Sequence, residues 1–499
     1  MAGPTASSKK FQSPKGTRDF YPQDMAVRRY IEGVWRQTSI NHGFDEVDGP
    51  TFEDIELYKH KSGPGIVSEI FQVYSGKDEQ EIAAIRAGKD APYALRPEFT
   101  PTLARMVAAK AAELPRPIKW FAIPTHFRAE RPQRGRLREF MQWNVDFIFD
   151  FPGPHKYTRK NRHGFRKRLP TTDAKFDVEL MTVAIDALSA FGLTRNDVSL
   201  CYTDRRAIQY IQSRIEIPHE KQISFTELLD RRAKLTHTEA WHALGALGLE
   251  INTFDRFDEV AADLKREIDR DFEEYVQLAE SGNFEIEDVA STEESFGSVD
   301  EGLKNLEDVH YWLRSNGVDD WCEVDHSVVR GLAYYTGTVF EIHETSGAER
   351  AIAGGGRYDN LIASFGGPSL PACGFGMGDV VLANLLHDKG LLPEEVYMKP
   401  LRPHAFAIAA SDEADAKMRQ TVAQLRRDGF HVRHSYKTTR NVGKLLSEAS
   451  KSRAMSAIIF GKEIAENRVD FKDLQSGEQT SIPLDQIESR LKQLTAISQ

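Results

Sequence analysis

Phe127-Arg128-Ala129-Glu130-Arg131-Pro132-Gln133-Arg134-Gly135-Arg136-Leu137-Arg138-Glu139-Phe140 sets five arginines between two strand-like stretches. Lys119 to Ile123 precedes the loop and Phe140 to Phe149 follows it, each with the alternating or continuous apolar pattern of a strand. The simplest reading is an antiparallel pair with an arginine-rich connection. Planar guanidinium groups grip phosphate oxygens two at a time, and an aromatic face beside them can stack on a purine. Charge alone also allows a solvated basic hairpin. The neighbouring segments have to decide.

Upstream, Leu95-Arg96-Pro97-Glu98-Phe99-Thr100 reads as a strand that ends at proline before a helix over Leu103 to Ala111, with Glu98 and Thr100 as candidate caps. Downstream, Val329-Arg330-Gly331-Leu332-Ala333-Tyr334-Tyr335-Thr336-Gly337 puts a charged residue beside two aromatics at the start of a strand expected over Val328 to Ile342. Gly354-Gly355-Gly356-Arg357-Tyr358-Asp359 lets backbone approach a ligand closely, or simply turns the chain.

The rest of the chain supplies a frame. Met25 to Ile40 has helical spacing and Gly43 ends it; Asp177 to Phe191 is helical and Val198 to Tyr202 extended. Asp204 to about Asn316 is mostly helical and charged, with Val260, Leu264, Ile268, Phe272 and Val276 on one face. After a hinge-like Pro400 to Pro403, strands at His404 to Ala410, Phe430 to Tyr436 and Ala457 to Phe460 alternate with helices at Glu413 to Arg427 and Val442 to Lys451. That alternation predicts a small α/β domain.

With 499 residues, the chain exceeds one core. No apolar run approaches the ~20 residues of a bilayer span, so no membrane is expected. The leader is polar, and the three cysteines, Cys201, Cys322 and Cys373, have no metal-ligand spacing, which suits a reducing cytoplasm. Net charge is −10, yet Asp255 to Glu301 holds 17 acidic against 4 basic residues, leaving 61 basic against 58 acidic elsewhere. The acidic Glu285 to Asp300 reads as mobile, whereas His155 to Arg168 holds seven Lys or Arg and no acid, a candidate for phosphate contacts to an RNA.

Taken in order, behind Lys15-Gly16-Thr17-Arg18-Asp19-Phe20 and ahead of the α/β domain, these segments resemble the histidyl-tRNA synthetases, which are class II aminoacyl-tRNA synthetases. The resemblance runs from about residue 11 to 495. Gly49-Pro50 sits at the family's motif 1, the arginine loop resembles motif 2, the segments around Arg330 and Tyr358 resemble the two histidine-specific motifs, and Gly374-Phe375-Gly376-Met377-Gly378 begins motif 3. It implies an α+β fold: an antiparallel catalytic sheet of six or seven strands flanked by helices, a helical insertion, and a C-terminal anticodon-binding domain. The expected divisions are 1–203 and 317–399 for the catalytic core, 204–316 for the insertion and 400–499 for the last domain.

The implied activity is ATP-dependent attachment of L-histidine to its transfer RNA by a cytoplasmic homodimer using magnesium-bound ATP, with no metal held by the protein itself. Arg128 and Arg330 would be catalytic, on opposite sides of the α-phosphate. Histidine would meet Glu98, Thr100, Arg128, Gln142, Asp146, Arg330, Tyr334, Tyr335 and Tyr358; ATP would meet Arg128, Glu130 and Phe140; transfer RNA would meet Arg131, Gln133 and Arg138. The chain departs from the family pattern at Asp146, where glutamate is usual, at Ala333, where aspartate is frequent, and at Val381, where motif 3 carries an arginine. Val381 cannot hold a phosphate, which leaves Arg136 or Arg138 as expected substitutes. The alternative is an inert synthetase-like regulator; two retained arginines converging on one phosphate favour the enzyme.

Overall fold

The computed structural model describes residues 11–62, 64–150, 157–160, 166–168, 173–232, 235–280, 285–288, 298–330, 334–347, 349–398 and 401–496. The chain separates into two compact units, Met1–Tyr21 with Arg28–Leu391, and Pro22–Val27 with Leu392–Gln499. No helix is long and apolar enough to cross a membrane.

The larger unit is organised by a nine-stranded sheet. From one edge the strands run Asp45–Glu46, Ile118–Ala122, Glu139–Ile148, Ala372–Gly378, Ala353–Arg357, Thr338–Glu344, Val198–Asp204 and Cys322–Val324, with Thr125–Phe127 also paired to Glu139–Ile148. All pairs are antiparallel except those made by the two edge strands, Asp45–Glu46 and Cys322–Val324. Six or seven strands were expected. The surplus lies in pieces of two or three residues, too short to show an alternating pattern.

Strand Glu139–Ile148 explains how a sheet builds a site. Its period of two sends Met141, Trp143, Val145 and Phe147 to one face, where they are buried. There Trp143 stacks on Trp35 of helix Pro22–Asn41 at 5.8 Å, and Phe147 meets Phe176 of helix Ala174–Ala190 at 5.1 Å. Phe140, Gln142, Asn144 and Asp146 therefore share the opposite face. On the helix side, Arg357 ion-pairs with buried Asp177 at 2.9 Å, and Thr338 Oγ1 donates to the same carboxylate. The arginine of the glycine run thus pins the sheet to a helix.

Three expectations are corrected. Val328 to Arg330 and Tyr334 to Gly337 are not strand: the strand begins at Thr338, and Arg330 has φ +46°, a left-handed conformation incompatible with a ladder. Neither Glu98 nor Thr100 caps the helix Thr100–Lys110, whose N-cap is Phe99 without a side-chain bond. The acidic stretch is part strand, since Glu285–Asp288 pairs antiparallel with Tyr157–Lys160, which pairs with Arg166–Arg168. Backbone pairing thus joins the acidic and basic insertions. Ser298 to Asp300 begin the helix Ser298–Ser315; the other residues of the two insertions, Gly331 to Ala333, and the first residue of the Pro400 hinge lie outside the described residues.

The charged middle region is helical, as read: Arg205–Arg214, His219–Arg231, His237–Ala246, Thr253–Glu280 and Ser298–Ser315. Leu264 and Ile268 of the predicted stripe are buried; the side chains of Phe272 and Val276 are not among those described. The smaller unit has the sheet order Val432–His434, Ala405–Ala409, Ser456–Phe460, Arg468–Asp473, Gln479–Pro483. The first three strands are parallel and the last two antiparallel, a mixed α/β layer around Ile458, Phe460 and Phe471.

Gly355 sits where the central strands come closest. A Cβ there would stand 2.4 Å from Gly374 O and 2.5 Å from Phe375 Cβ. Gly355→Ala must push two paired strands apart, at a cost of about 1–3 kcal/mol or more. Chemical denaturation should register that loss; an unchanged midpoint would mean the strands yield freely.

Candidate active site

The open face of the central sheet is floored by glycine. Gly354 and Gly356 on one strand register against Gly376 and Gly374 on the next. A Cβ on Gly374 would lie 2.1 Å from Asp146 Oδ1, and one on Gly354 would lie 2.1 Å from Arg330 Nη1. A Cβ on Gly376 would lie 2.8 Å from the Gln142 amide, and one on Gly356 would lie 2.9 Å from the Tyr335 ring. Side chains from the strand Glu139–Ile148 and from the stretch before strand Thr338–Glu344 thus lie flat on backbone, along a cleft of about 1430 Å³.

One end of this face is a closed aromatic pocket. Tyr358 Oη donates to Asp146 Oδ1 at 2.5 Å, and both residues are buried. Burial lifts the Asp146 pKa to about 7, against the opposing pull of Tyr358 and the Lys61 ammonium. Tyr334 stands 4.5 Å from Tyr335 and 5.9 Å from Tyr358, ring centre to centre. Glu98, from the turn before helix Thr100–Lys110, ion-pairs with Lys61, whose Nζ also lies 3.9 Å over the Tyr334 ring. Thr100 lines the same cleft.

The other end is cationic. Arg128 Nε donates to Pro97 O at 3.2 Å, and its guanidinium lies 5.2 Å from the centre of the Phe140 ring. Phe140 in turn stacks on His126 at 5.6 Å. Arg330 donates to Glu341 at 2.8 Å. Burial disfavours charge on Glu341, but His343 and Arg330 outweigh it and hold that carboxyl down at about 2. Arg128, Arg330, Glu98, Thr100, Gln142, Phe140 and the three tyrosines therefore all line one cleft, with Asp146 bonded to Tyr358 beneath it.

The arginine hairpin divides its labour. Gln133 and Arg136 close it through reciprocal backbone hydrogen bonds of 3.0 and 2.9 Å around Gly135. Arg131 and Gln133 are exposed at the tip. Glu130 ion-pairs with Arg136, which lines the cleft. Arg138 turns away: its Nε donates to Glu130 O at 3.1 Å and its side chain packs on Gly16, so of the two expected substitutes for the motif 3 arginine only Arg136 faces the cleft.

Two cleft residues, Glu341 and Arg350, and Lys61, which pairs with the cleft residue Glu98, escaped the sequence reading. Lys61 ends an unremarkable helix, Ile55–Ser62, and nothing in its local pattern marks it as buried. Glu341 lies mid-strand, where alternation is its sole signal. Arg350 lies in a polar turn. Among the described residues no group of three or more His, Cys, Asp or Glu could hold a metal ion.

A cleft lined by arginines on the open face of an antiparallel sheet, in place of helix ends above a parallel one, puts this unit in class II of the aminoacyl-tRNA synthetases. Comparison narrows the class. Residues 16–148 and 170–378 match the family described as Histidyl-tRNA synthetase, and residues 396–494 match an anticodon-binding domain. The histidine–tRNA ligase of Opitutus terrae is 35% identical over 97% of this chain and 98% of its own. That of Haloarcula marismortui is 34% identical over 95% and 96%. A Nostoc histidyl-tRNA synthetase structure superposes with a TM-score of 0.71 at 21% identity, covering 97% of this chain and 99% of that one. The apo Staphylococcus aureus synthetase reaches 0.62 at 20%, over 97% and 100%. At such identities the structures speak for the fold alone; the sequence matches settle the family. The chain belongs to the histidyl-tRNA synthetases.

The raised Asp146 pKa has a consequence for stability. A carboxyl whose folded pKa is about 7, against the usual 3.8, favours the folded state while it holds its proton. That stabilisation is complete below about pH 4 and is lost as pH rises through 7. The difference in unfolding free energy between the native protein and Asp146→Asn should therefore fall from pH 4 to 8. A difference that stays flat with pH would place the Asp146 pKa in the ordinary range.

Proposed function

We propose that this protein activates L-histidine with ATP to a histidyl-adenylate and transfers the histidyl group to its transfer RNA. The observation that carries the reading is the meeting of Arg128 and Arg330, from segments 202 residues apart, in one cleft beside the Asp146–Tyr358 pocket. A histidine carboxylate oxygen attacks the α-phosphorus, the bond to the bridging oxygen breaks, and pyrophosphate leaves with the electron pair. Charge grows on the transferring phosphoryl oxygens, and cations fixed in advance stabilise it without reorganising. Arg128 and Arg330 are those cations, with Arg128 also reaching the carboxylate.

Asp146 and Tyr335 take the two imidazole nitrogens, and Tyr334 and Tyr358 enclose the ring. A pocket that pairs both nitrogens leaves buried polar groups unmatched by any other side chain, which can discriminate by about 10⁴ without editing. Glu98, Thr100 and Gln142 receive the α-ammonium. That Glu98 already holds an ammonium, that of Lys61, supports its role. Phe140, beside Arg128 on the open face, stacks on adenine, and Glu130 completes the nucleotide site. Arg131 and Gln133, exposed at the hairpin tip, meet the transfer RNA. Arg138, folded against Gly16, sets the hairpin's shape.

ATP enters as its magnesium complex, with the ion carried by the phosphates. The protein works in the cytoplasm as a homodimer. An exposed aromatic pair, Tyr93 and Phe52, 5.6 Å apart, of which Phe52 follows closely on Gly49-Pro50, supports a subunit interface there. The divisions 1–203 with 317–399, 204–316 and 400–499 are proposed as catalytic, insertion and anticodon-binding parts.

Histidine-dependent exchange of pyrophosphate into ATP tests the activity directly. Arg330→Ala should cut it by about 10²-fold or more, as loss of an oxyanion donor does, while transfer RNA binding is retained. Wild-type protein that binds histidine yet exchanges nothing at millimolar ATP would instead mark an inert regulator.

A further inference from the structure

We propose that Arg350, together with Arg136, binds the terminal phosphates of ATP in place of the arginine that motif 3 lacks at Val381. This rests on the adenylation reading above and adds a residue to it.

Val381 is buried in helix Asp379–Asp388 and lines the cleft. The hairpin residue facing it is Gly135. A Cβ on Gly135 would lie 3.2 Å from Val381 Cγ2 and 3.6 Å from Arg350 Cδ, so the Arg350 side chain lies next to the aliphatic position. Arg350 lines the same cleft as Arg136, Arg128 and Arg330.

Charge balance separates Arg350 from its neighbours. Glu349, the adjacent acid, ion-pairs with Arg134 at 2.5 Å, and Arg134 also reaches Asp388 at 2.7 Å. Glu130, the other acid in range, is taken by Arg136. Among the described residues Arg350 has no ion pair. Burial lowers its pKa, and repulsion from Arg136 lowers it further, with Glu130 opposing. Two guanidiniums therefore share one carboxylate in a partly dewatered cleft, a surplus that an anion would relieve.

The surplus is continuous with the reaction centre. Arg128, Arg136, Arg330 and Arg350 all line the one cleft, and Arg136 is close enough to both Arg128 and Arg350 to repel each. With the α-phosphate between Arg128 and Arg330, a triphosphate running towards Arg136 and Arg350 meets a cation at each step. Arg350 is thus a binding residue for the phosphate tail, and for the departing pyrophosphate.

Arg350→Gln in the full-length protein separates this role from the others. KM for ATP and for pyrophosphate in exchange should each rise by roughly 10–100-fold, the loss of one charge-assisted contact. KM for histidine and the Kd for AMP should hold, because neither ligand reaches the tail site. Arg350→Lys should recover part of the affinity, and Val381→Arg added to Arg350→Gln should recover it from the other side. Native KM values for ATP and pyrophosphate in Arg350→Gln would overturn the assignment while leaving the adenylation reading standing. If the wild type exchanges nothing, that reading falls alone. Calorimetric titration of ATP against AMP into wild type and Arg350→Gln then still decides whether Arg350 grips the tail.

Discussion

Everything at this site depends on two adjacent strands having no side chains on one face. Gly354, Gly356, Gly374 and Gly376 leave a bare patch of backbone at the centre of the sheet. Asp146, Gln142, Tyr335 and Arg330 occupy the space that four Cβ atoms would fill. The same strands carry bulk on their other face, where Phe375 packs edge-on against Trp143 at 5.1 Å and Arg357 anchors to Asp177. A sheet that is crowded beneath and bare above is a rigid floor. Rigidity matters because prearranged charge stabilises a transition state only if it need not move.

On that floor the charges are matched in pairs rather than pooled. Lys61 is set against Glu98, Arg330 against Glu341, Arg136 against Glu130, and Arg134 against Glu349. Leaving a buried charge unmatched is costly, so each pair also fixes a rotamer. The exceptions stand out for this reason. Arg128 gives one nitrogen to a carbonyl and lies against the Phe140 ring, and Arg350 has no ion pair among the described residues. Both lie along the path a polyphosphate would take. Asp146 is the converse, a buried acid whose one hydrogen bond among the described residues comes from a tyrosine hydroxyl, and burial outweighs that bond to hold its proton to about pH 7.

The insertions give a second instance of charge being settled by pairing. The most acidic and most basic stretches of the chain, far apart in sequence, meet through the strands Glu285–Asp288 and Tyr157–Lys160. A reading that treats each stretch alone sees a mobile acidic segment and a basic loop available to RNA. Backbone pairing makes them parts of one three-stranded sheet, a contact between distant segments that local composition does not encode.

The sequence by itself determined the family, the fold class and the long elements, because period-2 and period-3.6 patterns act locally and the motifs lie in a fixed order. Helix Val442–Lys451 was bounded to the residue, and strand Glu139–Ile148 to within one. It also named residues that the cleft gathers, since Glu98, Arg128, Arg330 and Tyr358 sit in quotable motifs and Gln142 follows from the family resemblance. Tertiary structure decided the rest. Lys61, Glu341 and Arg350 belong to no motif, and only the closing of the chain brings Glu341 and Arg350 to the cleft and Lys61 to Glu98. Arg330 looked like the start of a strand, because two valines before it and two tyrosines after it suit a ladder. Its left-handed backbone turns the side chain onto Gly354 instead. Whether Arg136 or Arg138 faces a phosphate depends on which way a hairpin of alternating residues is turned, and packing against Gly16 from another segment fixes that turn. Local pattern states what a residue can do, whereas the direction in which a charged side chain points is set by what the distant chain leaves open to it.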